Sequence, residues 1–314
     1  MPYATKQQPY SAAVNAVTLG TGERAVTLGG NNILPFYVFD APAANPPRIG
    51  AEISDLALEE YTQSGLKEFY AGCDSVEAMA KRAQELPGVS FIALHLESAD
   101  PNGLNRSVED CAALAKAVSD AIELPLVVMG CRNVERDAEL FAKISESLTG
   151  KNILVLSARE ENYKTVGASA ALAYGHKVGA ESAVDINLAK QLNTVMTQLG
   201  VPAGSIVMQA GSAAAGYGFE YVASTLDRIK AAGLASSDAH LQMPIITPVS
   251  TETWSVKEAM LPESEMPEWG DAEERGVQME IATAAACLTC GSDAVILRHP
   301  AAIRAVAGMI DALM

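Results

Sequence analysis

Histidine, carboxylate, amide and thiol side chains fall in this chain at spacings that could support chemistry. His95-x-Glu97 and Arg298-His299-Pro300 each end a short apolar run. Two histidines and a carboxylate are one way to hold a transition metal. Side chains alternate along a strand, so His95 and Glu97 share an orientation only while the strand lasts, which weighs against a metal. Cys287-x-x-Cys290 offers half of the four-ligand set that zinc or an iron–sulfur cluster wants. The other cysteines, Cys73, Cys111 and Cys131, are scattered, so the pair reads as small thiols in an alanine-rich helix. The glycines of Gly211-Ser-Ala-Ala-Ala-Gly216-Tyr-Gly218 open a helical stretch where free N–H groups could hold an anion. A tight turn is the simpler use of those glycines. Glu160-Glu161-Asn162-Tyr163-Lys164 and Asp185-Ile-Asn187 also open helices. Glu161 and Asp185 suit caps or first-turn acids, whereas Asn162 and Asn187 could read the amide edge of a ring-shaped ligand. A Schiff-base aldolase needs a lysine on a strand, and Lys177 stands at the very start of one. The chain has no nucleophile elbow, P-loop or dinucleotide fingerprint.

What must position these groups is a repeating unit. Short apolar runs occupy 48–53, 90–95, 126–129, 153–156, 177–180, 205–208, 244–247 and 294–297. Each stops at polar residues, and helical periodicity follows over 75–86, 107–121, 135–148, 161–174, 185–199, 219–232, 272–290 and 300–313. Eight strand–helix units predict an α/β fold, a (β/α)8 TIM barrel, in which function gathers at the carboxyl ends of the strands. The polar strand ends therefore supply the candidate binding positions: Asp100, Asn133, Glu161, Asn162, Asp185, Asn187, Gln209, Thr251 and His299. Before the barrel, 14–20 and 24–30 read as a hairpin around Thr21-Gly22 that could plug the barrel's bottom. Pro35, Pro42, Pro46 and Pro47 keep 31–47 from being helical. The expected division is 1–47 as hairpin and lead-in and 48–314 as barrel. The connection from 247 to 272 is far longer than the usual 4–6 residues. It holds both tryptophans, Trp254 and Trp269, with Glu258, Glu263, Glu265, Glu268 and Asp271. It is either a solvated loop with its tryptophans folded onto the barrel or a docking surface.

The 314 residues suit one barrel of about 250 residues plus an extension. A net charge of −16, with no basic cluster, argues against nucleic acid and anionic membranes as partners. No apolar stretch approaches the roughly 20 residues that span a bilayer, and the polar start, 1–10, has no signal-peptide core. Five cysteines, an odd number, argue against a disulfide framework and for a reducing cytoplasm.

Strings along nearly the whole chain resemble one family, the small subunit of the corrinoid iron–sulfur protein. They include Leu28-Gly29-Gly30, Leu34-Pro35-Phe36, Asn45-x-Pro47, Ala99-Asp100-Pro101, Gly130-Cys131 and Glu161-Asn162-Tyr163-Lys164. They continue through Asp185-Ile-Asn187, Lys190-Gln191-Leu192-Asn193, Gly216-Tyr217-Gly218, Glu220-Tyr221 and Trp254. Lys257-Glu258-Ala259, Trp269-Gly270, Glu274-Arg275-Gly276 and Arg298-His299-Pro300 complete the set. Ala213-Ala214-Ala215 departs from the family's more glycine-rich loop. The resemblance implies a barrel, without catalysis of its own, that pairs with a larger subunit carrying the cobalamin and a [4Fe–4S] cluster. It implies methyl transfer in the Wood–Ljungdahl pathway, from methyltetrahydrofolate through a separate methyltransferase to acetyl-CoA synthase, with the barrel mouth over the cobalamin. Two other classes stand beside it. A pterin-dependent methyltransferase barrel would bind methyltetrahydrofolate itself, with Asp100, Asn133, Asp185 and Gln209 as its acidic and amide groups. A metal-dependent hydrolase or lyase would carry stoichiometric zinc.

Overall fold

The computed structural model describes residues 6–314, so residues 1–5 of the polar start lie outside the described residues. An antiparallel hairpin comes first: β1 (Val17–Leu19) and β2 (Val26–Leu28). Eight parallel strands follow: β3 (Arg48–Ser54), β4 (Val89–His95), β5 (Leu126–Met129), β6 (Leu154–Ala158), β7 (Lys177–Glu181), β8 (Ile206–Gln209), β9 (Ile246–Pro248) and β10 (Ala294–Leu297). They pair in the order β8-β7-β6-β5-β4-β3-β10-β9. A parallel bridge between Met208 and Ile245 links the two ends. The sheet therefore nearly closes into the expected (β/α)8 barrel.

The helices are α1 (Ala57–Glu60), α2 (Ser64–Phe69), α3 (Val76–Ala83), α4 (Val108–Ala121), α5 (Val134–Ser147) and α6 (Tyr163–Val166). After them come α7 (Ile186–Leu199), α8 (Phe219–Leu234), α9 (Val249–Thr253), α10 (Lys257–Met260), α11 (Ala272–Cys290) and α12 (Pro300–Leu313). Side-chain caps start several of them: Ser75 accepts from the Ala78 N–H at 3.2 Å and Ser107 from Asp110 at 3.1 Å. Two expectations need correction. The helix expected over 75–86 is the third after β3, because α1 and α2, of four and six residues, are too short to show periodicity. The helix expected over 161–174 is one α-turn that passes into a π-helix, Gly167–Ala173.

Alternation sorts the strand residues into two layers. Ile49, Ala51, Ile53, Ile92, Leu94 and Val128 face outward and pack under the helices. Phe91, Ala93, Val127, Leu154, Val207, Ile246 and Ala294 face inward. The hairpin joins that inner cluster with Val17, Leu19, Val26 and Leu28, and so plugs the bottom of the barrel. Asn152 secures it by donating from Nδ2 to the Thr18 and Gly20 carbonyls at 2.9 and 2.8 Å. Burying Leu19 and Leu28 contributes about 1.5–3 kcal/mol each. One glycine is needed for this filling: a Cβ on Gly50 would stand 2.1 Å from the Phe91 ring.

The long connection after β9 folds against the helix layer. Trp254 is buried with Ala259, Val277 and Ala302. Its ring lies so close to Gly276 that a Cβ there would come within 2.3 Å. Trp269 is half-buried, with the Arg275 guanidinium 5.5 Å from its ring centre. Among the described residues no helix is long and apolar enough to cross a membrane.

Candidate functional site at the barrel mouth

The next inward residue above the apolar plug is charged on several strands. On β3 it is Glu52, which is fully buried. An ionised carboxylate in such a place needs partners, because burial without them is expensive. Glu52 has two. Arg298, just past β10, donates through Nε and Nη2 at 3.1 Å each, and His95, at the end of β4, donates through Nδ1 at 2.9 Å. Burial works against the charge, but Arg298 and the His95 hydrogen bond outweigh it and hold the Glu52 carboxyl well below the usual carboxylate range. The Arg298 guanidinium also lies 5.3 Å from the Tyr61 ring centre.

The far side of the mouth repeats the pairing. Arg159 donates to Glu181 at 2.7 Å, and Arg132 to Glu252 at 2.9 Å. The Ser157 hydroxyl donates to the Gln209 side-chain oxygen. Above these pairs, at the ends of β6, β7 and β8, opens a cavity of about 870 Å3. Arg159, Lys164, Glu161 and Gln209 line it together with the apolar Val184 and Leu188.

The nine positions chosen as polar strand ends divide in two. Glu161 and Gln209 line the cavity. The others are engaged in local structure. Asp100 closes a turn by accepting from the Asn102 N–H at 2.9 Å. Asn133 caps α5 by accepting from Arg136 at 3.0 Å, and Asp185 caps α7 by accepting from the Asn187 N–H at 2.6 Å. The Asn187 side chain is exposed. Asn162 is a buried strut: it accepts from the Arg159 N–H at 2.7 Å and donates to the Val134 carbonyl at 3.0 Å. Thr251 donates to the Pro248 carbonyl at 3.1 Å. His299 caps α12 and turns away from the axis, its Nε2 at 2.9 Å from Glu273 and its ring beside Trp254. Asp100, Asn133, Asp185 and Gln209 are therefore not gathered as one constellation, since three of them are tied into caps and turns.

Three further buried acids support the mouth from behind. Asp55 accepts from the Ser98 N–H at 3.1 Å, and burial raises its pKa. Asp137 accepts from the Cys131 N–H at 2.8 Å, again with its pKa raised by burial. Burial also pushes the Cys131 thiol up to about 12, so it is a poor source of thiolate. Glu280, on α11, accepts from the backbone N–H groups of Arg298 and His299 at 2.6 and 3.1 Å. Its burial outweighs those bonds and pushes its pKa up to about 7. Away from the mouth, Cys287 is buried in the core and Cys290 is half-buried.

Sequence reasoning passed over Glu52, Arg132, Arg159, Glu181 and Glu280. A signal for Glu52 was present, as an acid at an inward position inside an otherwise apolar strand. Arg159 and Glu181 carried none, because partners 22 residues apart in sequence meet only through the barrel.

Residues 16–303 match the family model described as the CO dehydrogenase/acetyl-CoA synthase delta subunit. The chain is 32% identical over 299 residues to the acetyl-CoA decarbonylase/synthase complex subunit delta of Archaeoglobus fulgidus, covering 94% of this chain and 65% of that protein. It is 30% identical over 321 residues to subunit delta 2 of Methanosarcina acetivorans, covering 98% of this chain and 72% of that one. The chain thus spans about two thirds of the length of the curated relatives it matches. In fold it is similar to the dihydropteroate synthase of Xanthomonas albilineans with 4-aminobenzoic acid (TM-score 0.58, 13% identity, 95% of this chain and 98% of that one). The Thermus thermophilus dihydropteroate synthase is also similar (TM-score 0.53, 16% identity, 95% and 100%). The match over residues 16–303 places the hairpin, the barrel and its mouth together in a single family, and the chain belongs to that of the CO dehydrogenase/acetyl-CoA synthase delta subunit.

Proposed function

We propose that this chain is the subunit of a corrinoid methyl carrier whose barrel mouth covers a cobalamin held by a larger partner. The partner also carries the [4Fe–4S] cluster. The methyl group comes from methyltetrahydrofolate through a separate methyltransferase and goes on to acetyl-CoA synthase. The mouth cavity of about 870 Å3 is the observation that carries this reading. A corrin is a broad ring with apolar faces and an amide-bearing edge. Val184 and Leu188 offer apolar contact at the cavity wall, while Gln209, Glu161, Lys164 and Arg159 offer hydrogen bonds to amides. The interior charges beneath are already paired with one another, so the mouth presents a preformed surface to a ring brought from outside. Family membership supports the assembly, since the relatives are named as subunits of an acetyl-CoA decarbonylase/synthase complex.

Co-expression with a corrinoid-bearing large subunit tests the proposal, and a stable 1:1 complex is expected. Trp269→Ala, at a half-buried position on the long connection, is expected to weaken that complex while the variant chain stays folded by circular dichroism. A chain that stays alone in solution with such a partner overturns the reading. Calorimetric binding of methyltetrahydrofolate by the isolated chain would instead support a pterin-dependent methyltransferase.

A further inference from the structure

Arg132, just past β5, has a left-handed backbone with φ +67°, a conformation that strains a residue with a side chain. The loop that holds it there is built around Asp137. That buried carboxylate accepts from the Cys131 N–H at 2.8 Å. It lies so close to Gly130 that a Cβ there would stand 2.3 Å from it. Arg159 adds a bond from Nη1 to the Arg132 carbonyl at 3.4 Å. The loop so fixed aims the Arg132 guanidinium at Glu252 on α9, where Nη2 donates to Oε1 at 2.9 Å. In the pairing order β5 and β9 stand four places apart in a nearly closed ring of eight, so they lie on opposite sides of the barrel. Arg132 follows β5 and Glu252 follows β9, and their ion pair therefore crosses the mouth from wall to wall.

Two cavities meet at this pair. Above it is the cavity of about 870 Å3, which both residues line. Beneath it, Arg132 also lines a floor cavity of about 20 Å3 with His95, Ser157 and Gln209, room for one water-sized group. His95 Nδ1 faces Glu52 at 2.9 Å, and its Nε2 has no protein partner among the described residues. Arg298 keeps the Glu52 carboxylate ionised, and an ionised carboxylate can only accept. Nδ1 therefore carries the proton, and the lone pair lies on Nε2. We propose that the Arg132–Glu252 pair is a movable bar that closes the barrel floor and controls access to His95 Nε2, so that mouth and floor become one site when it opens. The pair is solvent-facing, its side chains 54% and 28% exposed. An ion pair so exposed is weak and is screened by salt, so this one opens without unfolding the barrel. The proposal goes beyond the proposed function and does not rest on it, because it concerns the free chain and involves no partner.

Diethyl pyrocarbonate tests the bar, because it acylates an imidazole through the free lone pair and is far larger than the floor cavity. The free chain is treated at pH 7 in low salt and in about 1 M NaCl, where charges are screened within a few ångströms. Modification of His95 is read by peptide mass spectrometry against that of the half-buried His240, far from the mouth. In wild type at low salt His95 is expected to react more slowly than His240. At high salt its rate relative to His240 is expected to rise about two- to fivefold, the change that loss of one exposed ion pair gives. Glu252→Gln keeps the side-chain volume and removes the charge. Its His95 is expected to react at low salt as fast as wild type does at high salt, with no further response to salt. Exchanging the pair, Arg132→Glu with Glu252→Arg, is expected to restore both the slow rate and the salt response. The wild-type salt comparison needs no substitution, so it decides even where a variant is unstable. A wild-type His95 that reacts as fast as His240 at low salt overturns the proposal. So does a rate that neither salt nor Glu252→Gln changes, including no reaction at all.

Discussion

Arg298→Met isolates the ion network under the mouth. The substitution keeps most of the side-chain volume and removes both donors, at 3.1 Å each, from a carboxylate that has no solvent exposure. His95 remains as one partner at 2.9 Å. Removing one partner of a buried pair leaves an uncompensated charge and costs roughly 3–5 kcal/mol. For a chain of this size that is roughly 5–8 °C in melting temperature. The loss is expected at pH 7 and is expected to shrink on acidification. In the wild type the paired Glu52 has a lowered pKa, so its stabilising contribution is present above the unfolded carboxyl pKa and fades as pH falls through the folded value. In the variant burial acts without Arg298, the folded pKa rises, and lower pH relieves the stranded charge by protonating it. Urea unfolding of Arg298→Met, Glu52→Leu and the double variant at pH 7 and pH 5 measures this. The double variant is expected to be more stable than Arg298→Met alone, because no charge is left buried. A variant that melts within a degree or two of wild type at pH 7, or additive losses in the double variant, would refute the network as the support of the mouth.

Glu280, buried with its pKa pushed up from 4.5 to about 7, stabilises the fold below the unfolded carboxyl pKa and loses that contribution as pH rises through 7. The loss is about 3 kcal/mol by linkage, and Glu280→Gln is expected to flatten the slope of urea stability between pH 5 and pH 8.5. Gly276→Ala puts a methyl 2.3 Å from the Trp254 ring. It is expected to cost about 1–3 kcal/mol and to red-shift the tryptophan fluorescence as Trp254 is displaced. Leu28→Ala opens a cavity in the bottom plug where Leu28 is fully buried, and a loss of about 2–5 kcal/mol is expected in chemical denaturation.

The fold was legible because its signals are local. Apolar runs of four to six residues, capped helices and a hairpin at a Thr-Gly turn are each written within a dozen residues. Ser75, Ser107 and Asp185 act as the caps their types suggest. What failed was also local: α1 and α2 are under two turns each and have no repeating face, and the π-helix of 167–173 has the composition of an ordinary helix. The site was less legible because polarity at a strand end has two uses that look alike in sequence. A residue that follows the strand by several positions lands where the helix begins and caps it, as Asn133 and Asp185 do. A residue still in register with the inward face lands in the mouth, as Glu52, His95 and Gln209 do. The discriminating quantity is the offset from the last inward apolar residue, and it needs the register that only strand pairing provides.

That offset also explains why the mouth is built from pairs. Inward positions at one height of a barrel come from alternate strands, and those of the neighbouring strands lie just above or below them, all converging on the axis. A single acid there would be buried without compensation. Glu52 on β3 is therefore flanked by His95 on β4 and Arg298 after β10, the two strands that pair with β3. Glu181 at the end of β7 is met by Arg159, just past the neighbouring β6. Each pair spends its charge internally and leaves few directions open to a ligand. The open ones are the Nε2 of His95 at the floor and the amide, acid and apolar groups of the β6–β8 rim. A mouth arranged in this way keeps its interior charges paired and meets a ligand with its shape and with the groups of its rim, Glu161 and Lys164 among them. Under the proposed function, such a face would meet a cofactor whose reactive centre is held by another chain.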